Sequence, residues 1–83
     1  MPRYHFHILD GKAGLDHHGT ELADLDAAKE EAVKLAGEVL RESKPGDIWE
    51  IKSWKLLVNG YPSPEAGRTY FTLALSAADD VSA

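Results

Sequence analysis

The sequence predicts an α+β fold: a three- or four-stranded antiparallel sheet with one amphipathic helix packed on one face, in the order β-(β)-α-β-β. Three observations carry this. Residues near both ends alternate apolar and polar with a period of two, the mark of half-buried strands. The middle of the chain repeats its apolar positions every 3.6 residues instead. A Pro45-Gly46 pair separates that middle stretch from the C-terminal part of the chain.

The first strand is Arg3 to Leu9, where Tyr4, Phe6 and Ile8 face inward and His5, His7 and Leu9 face the other way. Asp10-Gly11 reads as a turn, Leu15 to His17 as a short returning strand, and Gly19 as its close. The helix runs from Asp24 to Ser43. Asp24 is its N-cap, and Asp26 adds negative charge where the exposed N–H groups and the helix dipole favour it. Its apolar stripe is Leu25, Ala28, Ala32, Val33, Leu35, Ala36, Val39 and Leu40. Glu30, Lys34, Glu38 and Arg41 lie opposite, and Lys29, nearer the stripe, must reach outward along its own stem.

After the break, Trp49-Glu50-Ile51 opens an extended segment. Trp54, Leu56 and Val58 then alternate with Lys55 and Leu57 up to Asn59-Gly60, a dipeptide that favours positive φ. The last strand, Thr69 to Leu75, sets Phe71, Leu73 and Leu75 against Tyr70, Thr72 and Ala74. Its apolar content is high on both faces, so one face should meet the helix and the other something else. The domain expected is 1–76, with 77–83 a flexible acidic tail. The connection from Asn59 to Arg68, with Pro62 and Pro64, is too long for a tight hairpin.

Composition narrows the function. At 83 residues there is room for one core, and a chain of this size buries only about 60 to 65% of its unfolded surface. Association with a second copy would relieve that. A net charge of −5 with scattered Lys and Arg opposes a nucleic-acid footprint. Without cysteine there are no disulfides, thiolate metal sites or cysteine nucleophiles. No run is apolar and long enough to be a signal peptide or to span a bilayer, so neither a membrane nor a nucleic-acid partner is expected and the cytoplasm is the expected compartment.

Met1-Pro2-Arg3-Tyr4, then His7-Ile8-Leu9-Asp10-Gly11, then Gly19-Thr20-Glu21-Leu22-Ala23-Asp24 and Ala27-Ala28 resemble a family of short proteins of unknown function common in rhizobia and related alphaproteobacteria. Its members typically begin M-P-R, continue through aromatic positions to a histidine, and run through D-G to a G-x-x-L-x-D-x-x-A-A helix start. His7 falls on the family's usual histidine, whereas His5 stands where an aromatic residue is more common. The resemblance therefore implies no shared H-x-H metal pair, and it brings no activity with it.

All four histidines lie in the first eighteen residues: His5, His7, His17 and His18. On a strand His5 and His7 project to one face about 6.5 to 7 Å apart, a spacing that can chelate an ion. A closed hairpin could add His17 or His18, with Asp10 or Asp16 as a carboxylate. The adopted reading is plainer: His5 and His7 form the solvated face of a strand, and His17-His18 sits in a polar turn. No metal, cofactor or catalytic residue is assigned, and those four histidines remain the candidates should a metal bind. Asp10, Asp16, Glu21 and Asp24 crowd the same region. Yet no nucleophile elbow, phosphate-binding glycine loop or H-E-x-x-H motif accompanies them.

Trp49, Trp54, Tyr61 and Tyr70 read first as core or cross-strand aromatics. Leu57, Trp54 and the residues alternating with Phe71 could also make the second sheet face adhesive. The function expected is that of a small non-enzymatic protein-interaction or self-associating module, whose partner is a second copy or another protein. The alternative is a metal- or small-ligand-binding protein that uses the N-terminal histidines. A likeness to small β-α-β-β antitoxin-type modules rests on architecture alone.

Overall fold

A computed structural model of the chain describes residues 1–9, 13–42, 49 and 52–78. Among them the elements follow the expected order: β1 (Arg3–Leu9), β2 (Ala13–Gly14), β3 (Thr20–Glu21), α1 (Leu25–Glu42), β4 (Ser53–Asn59) and β5 (Thr69–Ser76). The sheet is antiparallel with order β2-β1-β4-β5, and β3 also pairs with β1. The fold is α+β with one helix, as the periodicities predict. The expected turn at Asp10-Gly11, the break at Pro45-Gly46, Glu50-Ile51 and most of the tail lie outside the described residues. Trp49 has helical rather than extended backbone. A three-residue window such as Trp49-Glu50-Ile51 cannot separate a period of 2 from one of 3.6.

Helix α1 starts where the sequence says. The Asp24 carboxylate accepts the Ala27 N–H at 2.9 Å, and the Asp24 carbonyl accepts the first helical bond, from Ala28 N–H, at 3.1 Å. Its buried line is Ala28, Ala32 and Ala36, one residue per turn. Methyl side chains let the helix ride close to the sheet, where the three alanines join Tyr4, Phe6, Trp54, Leu56 and Val58 in the core. The apolar stripe is narrower than predicted. Leu35 and Val39 pack against the core from the side, while Val33 is 63% exposed. With alanines at the line of contact, only residues close to that line reach the sheet.

Strand β4 buries Trp54, Leu56 and Val58 toward the helix. This corrects one expectation: Trp54 shares the parity of Leu56 and Val58, so it cannot belong to the second face of the sheet. Trp49, Tyr61 and Tyr70, by contrast, are about half exposed. Tyr70 also departs from simple alternation. Val58 pairs with Phe71, but Asn59 pairs with Thr69, leaving Tyr70 as an extra residue in β5. Its ring meets Tyr4 edge-on, centroids 5.7 Å apart.

The first hairpin closes, but not through Leu15 to His17. Strand β2 pairs Gly14 with Ile8 and Ala13 with Leu9; β3 pairs Glu21 with Arg3 and Thr20 with Tyr4. Five residues, 15–19, therefore return across only three, 5–7. The two surplus residues form a turn in place of a strand. The Asp16 side chain builds it by accepting the His18 N–H at 3.3 Å and the Gly19 N–H at 3.0 Å. Gly19 completes it at φ 73°.

No helix among the described residues is long and apolar enough to cross a membrane.

Candidate functional site

The helix-free face of the sheet carries His5 and His7 from β1 and Asn59 from β4, with His5 paired to Asn59 and His7 to Leu57. Both imidazoles are buried, at 4% and 0% exposure, and Asn59 is fully buried with them. This corrects the expectation of a solvated strand face. The physical reason is that the turn between β2 and β3 brings the Asp16 main chain, and the loop after β4 brings the Tyr61 carbonyl, against the two rings.

Asp16 sits at the centre of the cover. Its carboxylate accepts the Phe6 N–H at 3.0 Å, filling the place in the β1 ladder that the surplus residues leave vacant. Its main chain holds both histidines. The Nδ1–H of His5 donates to the Asp16 carbonyl at 2.8 Å, and the Asp16 N–H donates to Nδ1 of His7 at 3.1 Å. The rings lie nearly parallel, 10° apart in plane and 6.2 Å between centroids.

These partners assign the tautomers. Nδ1 of His7 is an acceptor, so the proton resides on Nε2. There it is shared by two acceptors, Asn59 Oδ1 at 3.0 Å and the Tyr61 carbonyl at 3.0 Å. Asn59 is oriented in turn by the loop after β4. Its Oδ1 accepts the Tyr61 N–H at 3.2 Å, and its Nδ2 donates to the carbonyls of Ser63 at 2.8 Å and Ala66 at 3.2 Å. Positive φ at this turn falls on Gly67, not on Asn59-Gly60 as the dipeptide suggests. The Asn59 amide is engaged in tertiary bonds that organise 61–66, so it does not serve a local turn.

The network is closed on itself. Among the described residues every buried side-chain nitrogen and oxygen has a partner. Burial alone would raise the Asp16 carboxyl, but hydrogen bonds from the Phe6, Gly19 and His18 N–H groups, aided by the His5 ring, hold it below its ordinary range. The nearby acids are equally committed: Glu21 pairs with Arg3 at 3.0 Å and Asp24 caps α1. Asp10 lies outside the described residues.

The hairpin thus brings Asp16 to His5 and His7, and brings it by its main chain. His17 and His18 are exposed, and His18 is engaged through its backbone: its N–H donates to the Asp16 carboxylate at 3.3 Å and its carbonyl accepts from Arg3 at 2.8 Å. No group of three or more His, Asp or Glu side chains placed to hold a metal is found among the described residues. Asn59 is the member of the network that sequence reasoning missed. Its signal was parity, since it shares the non-core face of the sheet with His5 and His7.

A second feature lies on the other face. An open cleft of about 290 Å³ runs between α1 and β5, lined by Lys29, Ala32, Val33, Phe71, Thr72 and Leu73. It is almost wholly apolar, and lacks the convergent polar groups that orient a substrate. Beyond it, among the described residues, β5 has a neighbouring strand on one side only.

The family model for the domain of unknown function DUF6894 matches residues 3–76, and the chain belongs to that family. No match is found among curated proteins or among solved structures.

Proposed function

We propose that this member of the DUF6894 family is a small non-enzymatic module that works by association, using the open edge of its sheet to engage a second copy or another protein. The observation that carries the reading is β5. Its eight residues, Thr69–Ser76, contain no charge and no proline, two of the devices by which proteins blunt an exposed edge, and its bulge at Tyr70 lies near its start, leaving Phe71 to Ser76 regular. A strand of this kind presents a row of unpaired N–H and C=O groups, and adding a strand from another chain satisfies them.

The rest of the structure supports this by what its polar groups already do. His5, His7, Asp16 and Asn59 use their hydrogen-bonding capacity within the chain, which suits a scaffold better than a site that turns over substrate. The proposed compartment is the cytoplasm.

Size-exclusion chromatography with light scattering, followed by a pull-down with the full chain, tests the proposal. A dimer or a stoichiometric protein partner is the expected result. A monomer at all concentrations that recovers no partner overturns it.

A further inference from the structure

We infer that the occupant of the β5 edge is a second copy of this chain, paired antiparallel about a two-fold axis at Leu73. This rests on the associative reading above and makes it specific. In such a pair, the residue numbers of directly opposed positions sum to a constant. An even sum is required if outward-pointing backbone groups are to meet one another. Two registers use the strand fully, one centred on Thr72 and one on Leu73.

Side-chain matching separates them. Centred on Leu73, the helix-side row sets Leu73 against itself and Phe71 against Leu75 of the second copy, and the outer row sets Thr72 against Ala74. Centred on Thr72, Leu75 would instead fall opposite Thr69, beyond the surplus residue Tyr70 where the regular ladder of β5 breaks, and would lose its apolar partner. Cross-strand pairs of like polarity are favoured, and a shift of register forfeits them. Phe71, Leu73 and Leu75 are each only half-buried against the core, so the Leu73 register finishes their burial.

Charge agrees with this arrangement. Arg68 immediately precedes β5, and the sequence beyond Ser76 runs through Ala77-Ala78 to Asp79-Asp80. The sequence is thus basic before the strand and acidic after it, a polarity that an antiparallel copy complements. The strand itself carries no charge to repel its copy. A stable pair buries on the order of 800 Å² on each partner, more than one strand edge supplies. The cleft beside α1, where Val33 is 63% exposed in the single chain, adds apolar surface next to the same strand.

The test uses exposed positions Thr72 and Ala74. In the Leu73 register, T72K/A74K sets lysine against lysine twice, and T72K/A74E sets lysine against glutamate twice. Light scattering across a dilution series should show dimeric wild type, about tenfold or greater weakening in T72K/A74K, and recovery in T72K/A74E, with circular dichroism confirming that all three fold. Because the chain has no cysteine, Leu73→Cys should also cross-link to a covalent dimer on oxidation. A dimer indifferent to both double variants places the interface elsewhere, which overturns this inference and leaves self-association standing. Equal weakening of both overturns the register. A strictly monomeric wild type overturns the inference, while a recovered partner protein would still uphold the broader reading.

Discussion

His7 and Asn59, 52 residues apart in the chain, share a buried hydrogen bond of 3.0 Å between Nε2 and Oδ1. That bond joins two segments with no covalent reason to be near each other: the return of the first hairpin, held through Asp16, and the loop 60–68, held through the Asn59 amide. Asn59→Ala would leave the Tyr61 N–H and the Ser63 and Ala66 carbonyls short of a partner, and His7 short of one of two. Each buried group so stranded costs about 1 to 3 kcal/mol. We expect a loss of about 2 to 4 kcal/mol in urea unfolding, with water at the loop offsetting part of the full cost. A double-mutant cycle with His7→Leu should give coupling of about 0.5 to 3 kcal/mol; strict additivity would show that the bond is incidental.

Two glycines should respond oppositely to alanine. At Gly19 the backbone has φ 73°, and a Cβ would lie 2.7 Å from the Arg3 side chain and 2.9 Å from the His5 ring. Gly19→Ala should therefore destabilise by about 1 to 3 kcal/mol. At Gly37, within α1, a Cβ meets nothing within 4 Å. Gly37→Ala should stabilise by about 0.5 to 1 kcal/mol. Thermal melts of the two variants decide the matter, and a shift of the same sign in both would contradict the turn geometry.

Acid should act through Asp16. Its carboxyl is held below the ordinary range in the folded protein, so its ionised form contributes stability at pH values above the unfolded carboxylate pKa of about 3.9. That contribution fades as the pH falls below about 4 and is lost once the pH passes through the lower folded value. Unfolding experiments between about pH 2 and 6 should show a steeper acid loss in wild type than in Asp16→Asn, which has no such proton to bind. Parallel curves would remove Asp16 from the explanation.

Zinc should not stabilise the chain. A metal held by both His5 and His7 would have to displace a bond on His7, whose two ring nitrogens are both engaged, and His17 and His18 do not converge on them. We expect an unchanged thermal midpoint in excess zinc, since stabilisation requires preferential binding to the folded state. A rise that vanishes in H17A/H18A, a variant confined to exposed positions, would instead reveal a site built by those residues.

The elements were legible because their periods are unambiguous. Tyr4-Phe6-Ile8 and Trp54-Leu56-Val58 can bury one face only as strands, and Ala28-Ala32-Ala36 only as a helix. The polar network was not legible, because three of the four hydrogen bonds to its histidine rings are made by backbone atoms. His5 and His7 read as solvated since nothing in the residue types announces that the Asp16 main chain will cover them. Asn59-Gly60 misled for a related reason: a dipeptide's local preference yields when its side chain finds several tertiary partners. Tyr70 was misplaced by a single surplus residue, which periodicity cannot foresee.

The two margins of the sheet are unlike. One ends in β2 and β3, two residues each, interrupted by the Asp16 turn and flanked by the Arg3–Glu21 pair. The other is β5, eight residues long with its one surplus residue near the start. Polymers built edge to edge need a donor surface at both margins, so a sheet sealed on one side can join a neighbour once and then has nothing further to offer. If β5 pairs as proposed, the surplus turn at Asp16 would act as a chain terminator for that assembly, keeping it a closed, finite complex.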